Sequence, residues 1–248
     1  MPSPEPVLAL LHGWGMNGHV FDDLAARLAD EFDVRVLDLP GHGGRAALAG
    51  NALAAWADDL AQQLPDGATL LGWSLGGQVA MRAALDHPHK VGRLILLAST
   101  PKFVAEGDWD RGMAIADLEA FGAALLADPE ATLLRFLSLQ TRGMPGQKVL
   151  LQQLRQSVIA AAPAEPAALA AGLAILRDTD LRAELPRLLQ PALVLHGGLD
   201  TLTPAAAGAW LAATLPAAAY CELPRAAHAP HLSHVDEVAA AIAGFAHA

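Results

Sequence analysis

Apolar residues gather in six short runs, Val7 to Leu11, Val34 to Leu37, Thr69 to Leu71, Leu94 to Ala98, Leu193 to Leu195 and Ala218 to Leu223, bounded by Gly, Pro or Asp. The runs lack polar alternation. That is the pattern of strands whose two faces are both covered, as in a parallel sheet between helical layers. Between them, Phe21 to Ala29, Leu53 to Gln63 and Gln78 to Asp86 are rich in Ala, Leu and Gln and have helical character. Strand and helix alternating in this way predict an α/β fold with parallel strand order.

The rhythm changes between Pro101 and Arg187, where helical signals continue without a convincing strand. Residues 101–187 therefore read as an inserted helical cap, and residues 1–100 with 188–248 as the α/β core. Inside the insertion, Asp128 before Pro129 has the chemistry of a helix start. Gly143, Pro145 and Gly146 predict a break before a helix from Gln147. In the Ala-rich stretch Ala160 to Ala174, the spacing of Leu169, Leu173 and Leu176 predicts a packed helix.

Composition narrows the function classes. At 248 residues the chain suits one α/β domain with an insertion better than two equal domains. Its 53% hydrophobic content belongs to a globular protein, and the net charge of −10 removes the electrostatic drive for nucleic-acid binding. Cys221 is the only cysteine, so an internal disulfide or a cysteine-based zinc cluster is excluded and a reducing compartment fits. The start, Met1 to Pro6, is neither basic nor apolar, and the apolar runs fall far short of the ~20 residues that span a bilayer. The expectation is a cytoplasmic monomer without a membrane partner.

The chemistry concentrates in three loops. Gly72-Trp73-Ser74-Leu75-Gly76 follows a strand and precedes a helix, the context of a nucleophile elbow that thrusts a serine hydroxyl out at the sheet's carboxyl end. The alternative is a Gly-rich turn that only packs helix on strand. An unassisted serine is a weak nucleophile, so a base and a group orienting that base must come from elsewhere. Asp200 follows the strand at Leu193 to Leu195, and His228 lies just past the strand ending near Leu223. In this scheme His228 takes the proton of Ser74, and Asp200 fixes the imidazole tautomer. His12-Gly13-Trp14-Gly15 follows the first strand, and the backbone N–H groups of Trp14 and Leu75 are the expected oxyanion donors.

Two competing patterns share these residues. Gly13, Gly15 and Gly18 form GxGxxG, with Asp38 twenty residues after the last glycine, as in dinucleotide sites; yet the helical pattern opens only near Val20, too late to offer its N-terminus to a pyrophosphate. His228, His231 and His234 could form a metal cluster, but Pro230 breaks the helix that would align them. No metal and no cofactor are expected. Ser233 with Asp236 resembles a capping box, placing His234 at the start of the last helix. His231 and His234 are expected to be dispensable for activity. Cys221 is expected to be a small buried hydrophobe, His12 and His42 to support loop geometry, and His87 to end a helix.

With LHGWG at Leu11 to Gly15, DLPGHG at Asp38 to Gly43, GWSLGG at Gly72 to Gly77, FLSLQT at Phe136 to Thr141 and AAHAP at Ala226 to Pro230, the chain resembles the α/β-hydrolase family throughout its length. More narrowly it resembles the esterases that act on the pimeloyl-acyl-carrier-protein methyl ester in biotin synthesis. The resemblance implies a carboxylesterase releasing methanol, with Ser74, Asp200 and His228 as triad. It also implies that Trp14, Leu75 and the segment Phe136, Leu137, Ser138, Leu139 and Gln140 contact the acyl chain or its ester, beside Ser74 and His228. An esterase for other short-chain esters, a carbon–carbon bond hydrolase, or a non-catalytic binding module on the same fold stay open alternatives.

An acidic carrier protein is also suggested by charge. Ala131 to Ala164 holds Arg135, Arg142, Lys148 and Arg155 and no Asp or Glu, inside a chain of net charge −10. Such a local reversal favours an acidic partner; the alternative is an ordinary solvated helix face. Arg135 and Arg142, like Lys148 and Arg155, are seven apart, so each pair is expected to share one helical face.

Overall fold

All six apolar runs are strands of one parallel sheet. In the computed structural model, which describes residues 5–144 and 146–246, the chain runs through β1 (Val7–Leu11), a one-turn 3-10 helix (Gly18–Phe21), α1 (Asp22–Leu28), β2 (Asp33–Leu37), α2 (Leu53–Gln63), β3 (Ala68–Trp73), α3 (Leu75–Asp86) and β4 (Val91–Leu97). Two short strands follow, β5 (Val104–Ala105) and β6 (Met113–Ala114), then α4 (Ile115–Ala127), α5 (Pro129–Gln140), α6 (Gln147–Ile159) and α7 (Pro166–Asp178). The chain closes with β7 (Ala192–Gly197), α8 (Ala205–Thr214), β8 (Ala218–Leu223), α9 (Pro230–Ser233) and α10 (Val235–Ala246).

The sheet order is β2-β1-β3-β4-β7-β8, with every neighbouring pair parallel. Successive residues face opposite sides of a strand, and in the central strands β1, β3, β4 and β7 both sides are apolar. Ala9, Leu11, Leu70, Leu94 and Leu96 pack with Trp56, Leu60 and Val79 in one core, while Leu8, Leu10, Leu71, Ile95 and Leu97 pack with Leu24, Leu28, Val238 and Ile242 in the other. This accounts for the missing alternation. The order reverses beside β1, because β2 lies to one side of it and β3 to the other, and the crevice past the carboxyl ends of strands at such a switch is where open α/β sheets bind ligands. Gly13 and Ser74 both emerge there.

Several expectations change. The run at Thr69 to Leu71 extends to Trp73 and α3 opens at Leu75, not Gln78, leaving Ser74 alone between strand and helix. Gly76 is a poor helix former, yet it sits in the first turn because a Cβ there would press into the Leu11 carbonyl oxygen at 2.6 Å. The connection after β4 contains β5 and β6, paired over two residues each, too short to carry a period-two pattern. Cys221 is half-buried on the edge strand β8, not fully enclosed. Ser233 belongs to α9 and donates to the Ala229 carbonyl instead of capping α10. Arg142 lies past the end of α5, so it does not share a helical face with Arg135; Lys148 and Arg155 both lie on α6.

Elsewhere the local chemistry acts as expected. Asp128 accepts from the Ala131 N–H at 3.0 Å, capping α5 ahead of Pro129. α6 starts at Gln147 after Gly146, while Pro145 lies outside the described residues. The connecting helices are tied to the loops after β1 and β2: the Trp14 indole N–H donates to the Leu169 carbonyl at 2.8 Å, the Asn17 amide to the Ser157 carbonyl at 2.9 Å, and the Glu165 N–H to the Gly41 carbonyl at 2.8 Å. Among the described residues, no helix is long and apolar enough to cross a membrane.

Candidate active site

Ser74 has φ 56° and ψ −119°, a strained backbone for a residue with a side chain. The surroundings enforce it. The Ser74 N–H donates to the Leu97 carbonyl at 3.0 Å, and its carbonyl accepts from the Gly77 N–H at 2.9 Å and the Ser99 hydroxyl at 2.8 Å. The turn leaves Oγ facing His228.

The Ser74 hydroxyl donates to Nε2 of His228 at 3.0 Å, and Nδ1–H of His228 donates to Oδ2 of Asp200 at 2.8 Å. Asp200 accepts only, which fixes that tautomer. The carboxylate is itself held: Oδ1 accepts from the N–H groups of Leu202 at 2.9 Å and Thr203 at 3.0 Å, and Oδ2 from the Thr203 hydroxyl at 2.8 Å. Burial works to raise the Asp200 pKa, but the His228 imidazole, the nearby His196 and the Thr203 N–H outweigh it and hold it below the usual carboxylate range. Behind it lies His196, whose Nε2–H donates to the Thr203 carbonyl at 2.6 Å and lies 3.6 Å from Oδ2. His228 is positioned from the other side, as its carbonyl accepts from the Trp73 indole at 2.8 Å and its N–H donates to the Gln140 carbonyl at 3.2 Å. Such a chain can deprotonate a hydroxyl as it attacks a carbonyl carbon.

The loop after β1 lies against the serine. A Cβ on Gly13 would stand 3.1 Å from Cβ of Ser74 and 3.3 Å from the Trp73 carbonyl oxygen, so a side chain there would crowd the nucleophile. Leu75 is the first residue of α3, and its N–H is among those a helix leaves without an internal partner, at the positive end of the dipole. Next to this loop, a cavity of about 360 Å³ is walled by Trp14, Phe121, Phe136, Leu139, Leu176 and Leu202 among others. Trp14 meets Phe136 nearly edge-on, with centroids 5.0 Å apart. Ser74 is not in the wall itself; Trp14 and Leu202 bring the wall next to Gly13 and Asp200.

A family model described as the alpha/beta hydrolase fold matches residues 6–235. The chain belongs to the α/β-hydrolase family. A Nitrosomonas europaea protein named pimeloyl-[acyl-carrier protein] methyl ester esterase is 43% identical over 232 residues, covering 94% of this hydrolase and 92% of that relative. The Aromatoleum aromaticum protein of the same name is 43% identical over 243 residues, 96% of this chain and 97% of its own. Among solved structures, a hydrolase from Pseudomonas aeruginosa superposes with TM-score 0.79 at 30% identity, over 98% of this chain and 91% of that one. An esterase from Exiguobacterium antarcticum reaches TM-score 0.88 at 24% identity, over 99% and 93%.

Within this hydrolase, Phe136 and Leu139 share the cavity face of α5, and Arg135 and Arg142 also reach the cavity wall. Leu137 is buried in the core that contains Trp73, and the Ser138 carbonyl accepts from the Thr141 hydroxyl at 3.4 Å. Gln140 is fully buried, and its side-chain amide has no partner among the described residues. Lys148 and Arg155 are exposed on α6, away from the cavity wall.

The three histidines of the supposed cluster have separate surroundings. His228 serves Ser74 and Asp200, His234 pairs with the Ser233 hydroxyl at 2.8 Å, and His231 is buried between Trp73 and Phe21, where neither ring nitrogen has a partner among the described residues. His231 is thus core, which its place beside Pro230 did not suggest. Asp38 does meet Gly18 across the twenty-residue spacing, but as an acceptor from the Gly18 N–H at 2.7 Å and a neighbour of His12 Nε2 at 3.2 Å. Burial favours the neutral acid; His12 and the Gly18 N–H prevail and keep Asp38 ionised below the ordinary range. The carboxylate that a dinucleotide site would use for ribose pins this loop instead. Thr203, Ser99 and His196 had no spacing signal, although Thr203, three residues after Asp200, has the offset of a side-chain-capped turn.

Proposed function

We propose that this α/β hydrolase is a serine carboxylesterase that cleaves the methyl ester of a pimeloyl chain held on acyl carrier protein. The observation that carries the reading is the unbroken chain from Ser74 through His228 to Asp200 beside an apolar cavity with two arginines at its wall. The names and near-full-length identity of the relatives support the substrate. The sequence 101–187 acts as the cap, and Arg135, Arg142, Lys148 and Arg155 face the acidic carrier.

In the reaction, Oγ of Ser74 attacks the ester carbonyl while Nε2 of His228 takes its proton, and Asp200 stabilises the imidazolium. The negative oxygen is held by the Trp14 and Leu75 N–H groups. His228 then protonates the departing methoxide, releasing methanol and leaving an acyl group on Ser74. Water, deprotonated by His228, attacks that acyl carbonyl, and collapse returns the proton to Ser74 and frees the carboxylate. The acyl chain lies against Trp14, Phe136 and Leu139, whose apolar surface favours methylene groups at about 0.8 kcal/mol each.

The test is methanol release from monomethyl and dimethyl dicarboxylates of graded length, free and carrier-linked. The reading expects a maximum near the seven-carbon acid and a higher kcat/KM on the carrier. Turnover of free esters alone, with no carrier-linked hydrolysis, would reduce the protein to a general esterase.

A further inference from the structure

Of the sixteen lysines and arginines, all but five have a hydrogen-bond, ion-pair or cation–π partner for their side chains among the described residues. The five are Arg135, Arg142, Lys148, Arg155 and Arg225. Four belong to the acid-free segment of the insertion. Arg225 comes from the core some seventy residues later, three positions before His228, and it is exposed.

Arg225 opens onto a second cavity, a groove of about 410 Å³ at the seam between the start of α6 and the loop carrying His228. Met144, Val149, Leu150 and Leu232 form its apolar wall, with Ser233 and His234 beside them, and no carboxylate lines it among the described residues. Val149 is 62% exposed there, directly after Lys148. The groove adjoins the base: Sδ of Met144 accepts from the Ala227 N–H at 3.2 Å, one residue before His228. In a chain of net charge −10, an apolar groove flanked by unpaired cations is complementary to an acidic protein surface carrying an apolar side chain.

We propose that Arg225 and this groove form part of the carrier seat, with a carrier carboxylate against Arg225 and an apolar carrier side chain between Val149 and Leu232. The inference rests on the carrier reading above and adds a contact from the core itself. Arg225 is then a specificity-determining residue, selecting carrier-linked over free esters without touching the reacting atoms.

The experiment measures kcat/KM for the carrier-linked methyl ester and for a small free methyl ester, in the full chain, across a salt series. Arg225→Glu should lower the carrier-linked value roughly 5- to 20-fold at low salt and leave the free ester nearly unchanged. The deficit should shrink towards about 1 M salt, where the Debye length is about 3 Å. Val149→Asp should show the same selectivity, and Arg35→Glu, on the distant edge strand β2, should not. Equal losses on both substrates, or no loss on the carrier, would overturn the seat while leaving the cap cations as the carrier surface. A wild-type protein that cleaves free esters but never the carrier-linked one would overturn the carrier reading and this seat with it.

Discussion

Replacing Asp200 with Asn isolates what the carboxylate does, because the structure dictates how the new amide must sit. Oδ1 accepts two backbone N–H groups, from Leu202 and Thr203 at 2.9 and 3.0 Å. An NH₂ there would face two donors, so the amide oxygen takes that place and the NH₂ turns to His228. It then donates to Nδ1, which forces the imidazole proton onto Nε2, and a protonated Nε2 can no longer accept from Ser74. Loss of the correct tautomer costs a serine hydrolase about 10⁴ in kcat, or about 5 kcal/mol of transition-state stabilisation. The side chain of Asp200 is fully buried and Asn has the same shape, so the fold should persist. The assay is methanol release under saturating methyl ester at pH 7 to 8, with thermal unfolding as control for folding. A folded Asp200→Asn enzyme within ten-fold of wild type would refute the tautomer argument and move the orienting role to another group, such as the Thr203 hydroxyl, which lies 3.3 Å from Nδ1 of His228.

Phe136→Ala removes a ring packed on Trp14 and Phe121, and should raise KM for a seven-carbon acyl ester several-fold more than for an acetyl ester; equal effects would make Phe136 cap core only. His231, whose pKa burial and then the nearby His228 push down to about 3, stays neutral in the fold but titrates near 6.5 when unfolded. The unfolded state therefore gains protons first, and this site costs stability as pH falls from 6.5 towards 3, about 2 kcal/mol by pH 5. His231→Phe, which fills the same space without the two unpartnered nitrogens, should flatten that part of the acid denaturation profile; an unchanged profile would contradict the burial. Dialysis against a chelator should leave activity intact, since Ser74, His228 and the backbone donors supply nucleophile, proton transfer and charge stabilisation; a loss restored by zinc would revive a metal role for the histidines.

What the sequence made legible follows from which interactions are local. The four central strands could be read because both sheet faces are covered there, so Leu8 and Ala9 are apolar for different neighbours and the run stays continuous, whereas the edge strands β2 and β8 are partly exposed and carry Arg35 and Glu222. Asp128 with Pro129 could be read because a cap is made within three residues. The start of α3 is not legible because Gly76 and Gly77 weaken helix propensity, and what requires Gly76 there is the pair of carbonyl oxygens of His12 and Leu11 at the end of another strand. The spacing from Gly18 to Asp38, set aside as a dinucleotide pattern, gave no sign that the Gly18 N–H donates to the Asp38 carboxylate, a contact between separate loops that only the fold brings together. The seven-residue spacing of Arg135 and Arg142 assumed a helix that ends at Gln140. Thr203, Ser99 and His196 support the site by folding back on it. Arg225 meets the cap only across the seam.

In the proposed reaction Ser74 attacks a methyl ester carried on the acyl carrier protein. The most direct measurement is methanol release from pimeloyl-carrier methyl ester by wild-type protein and by Ser74→Ala, with the variant's folding checked by thermal unfolding. Wild type should release one methanol per ester, and the folded variant should be slower by on the order of 10³-fold or more. Comparable turnover by the folded variant, or none by wild type, would contradict the account.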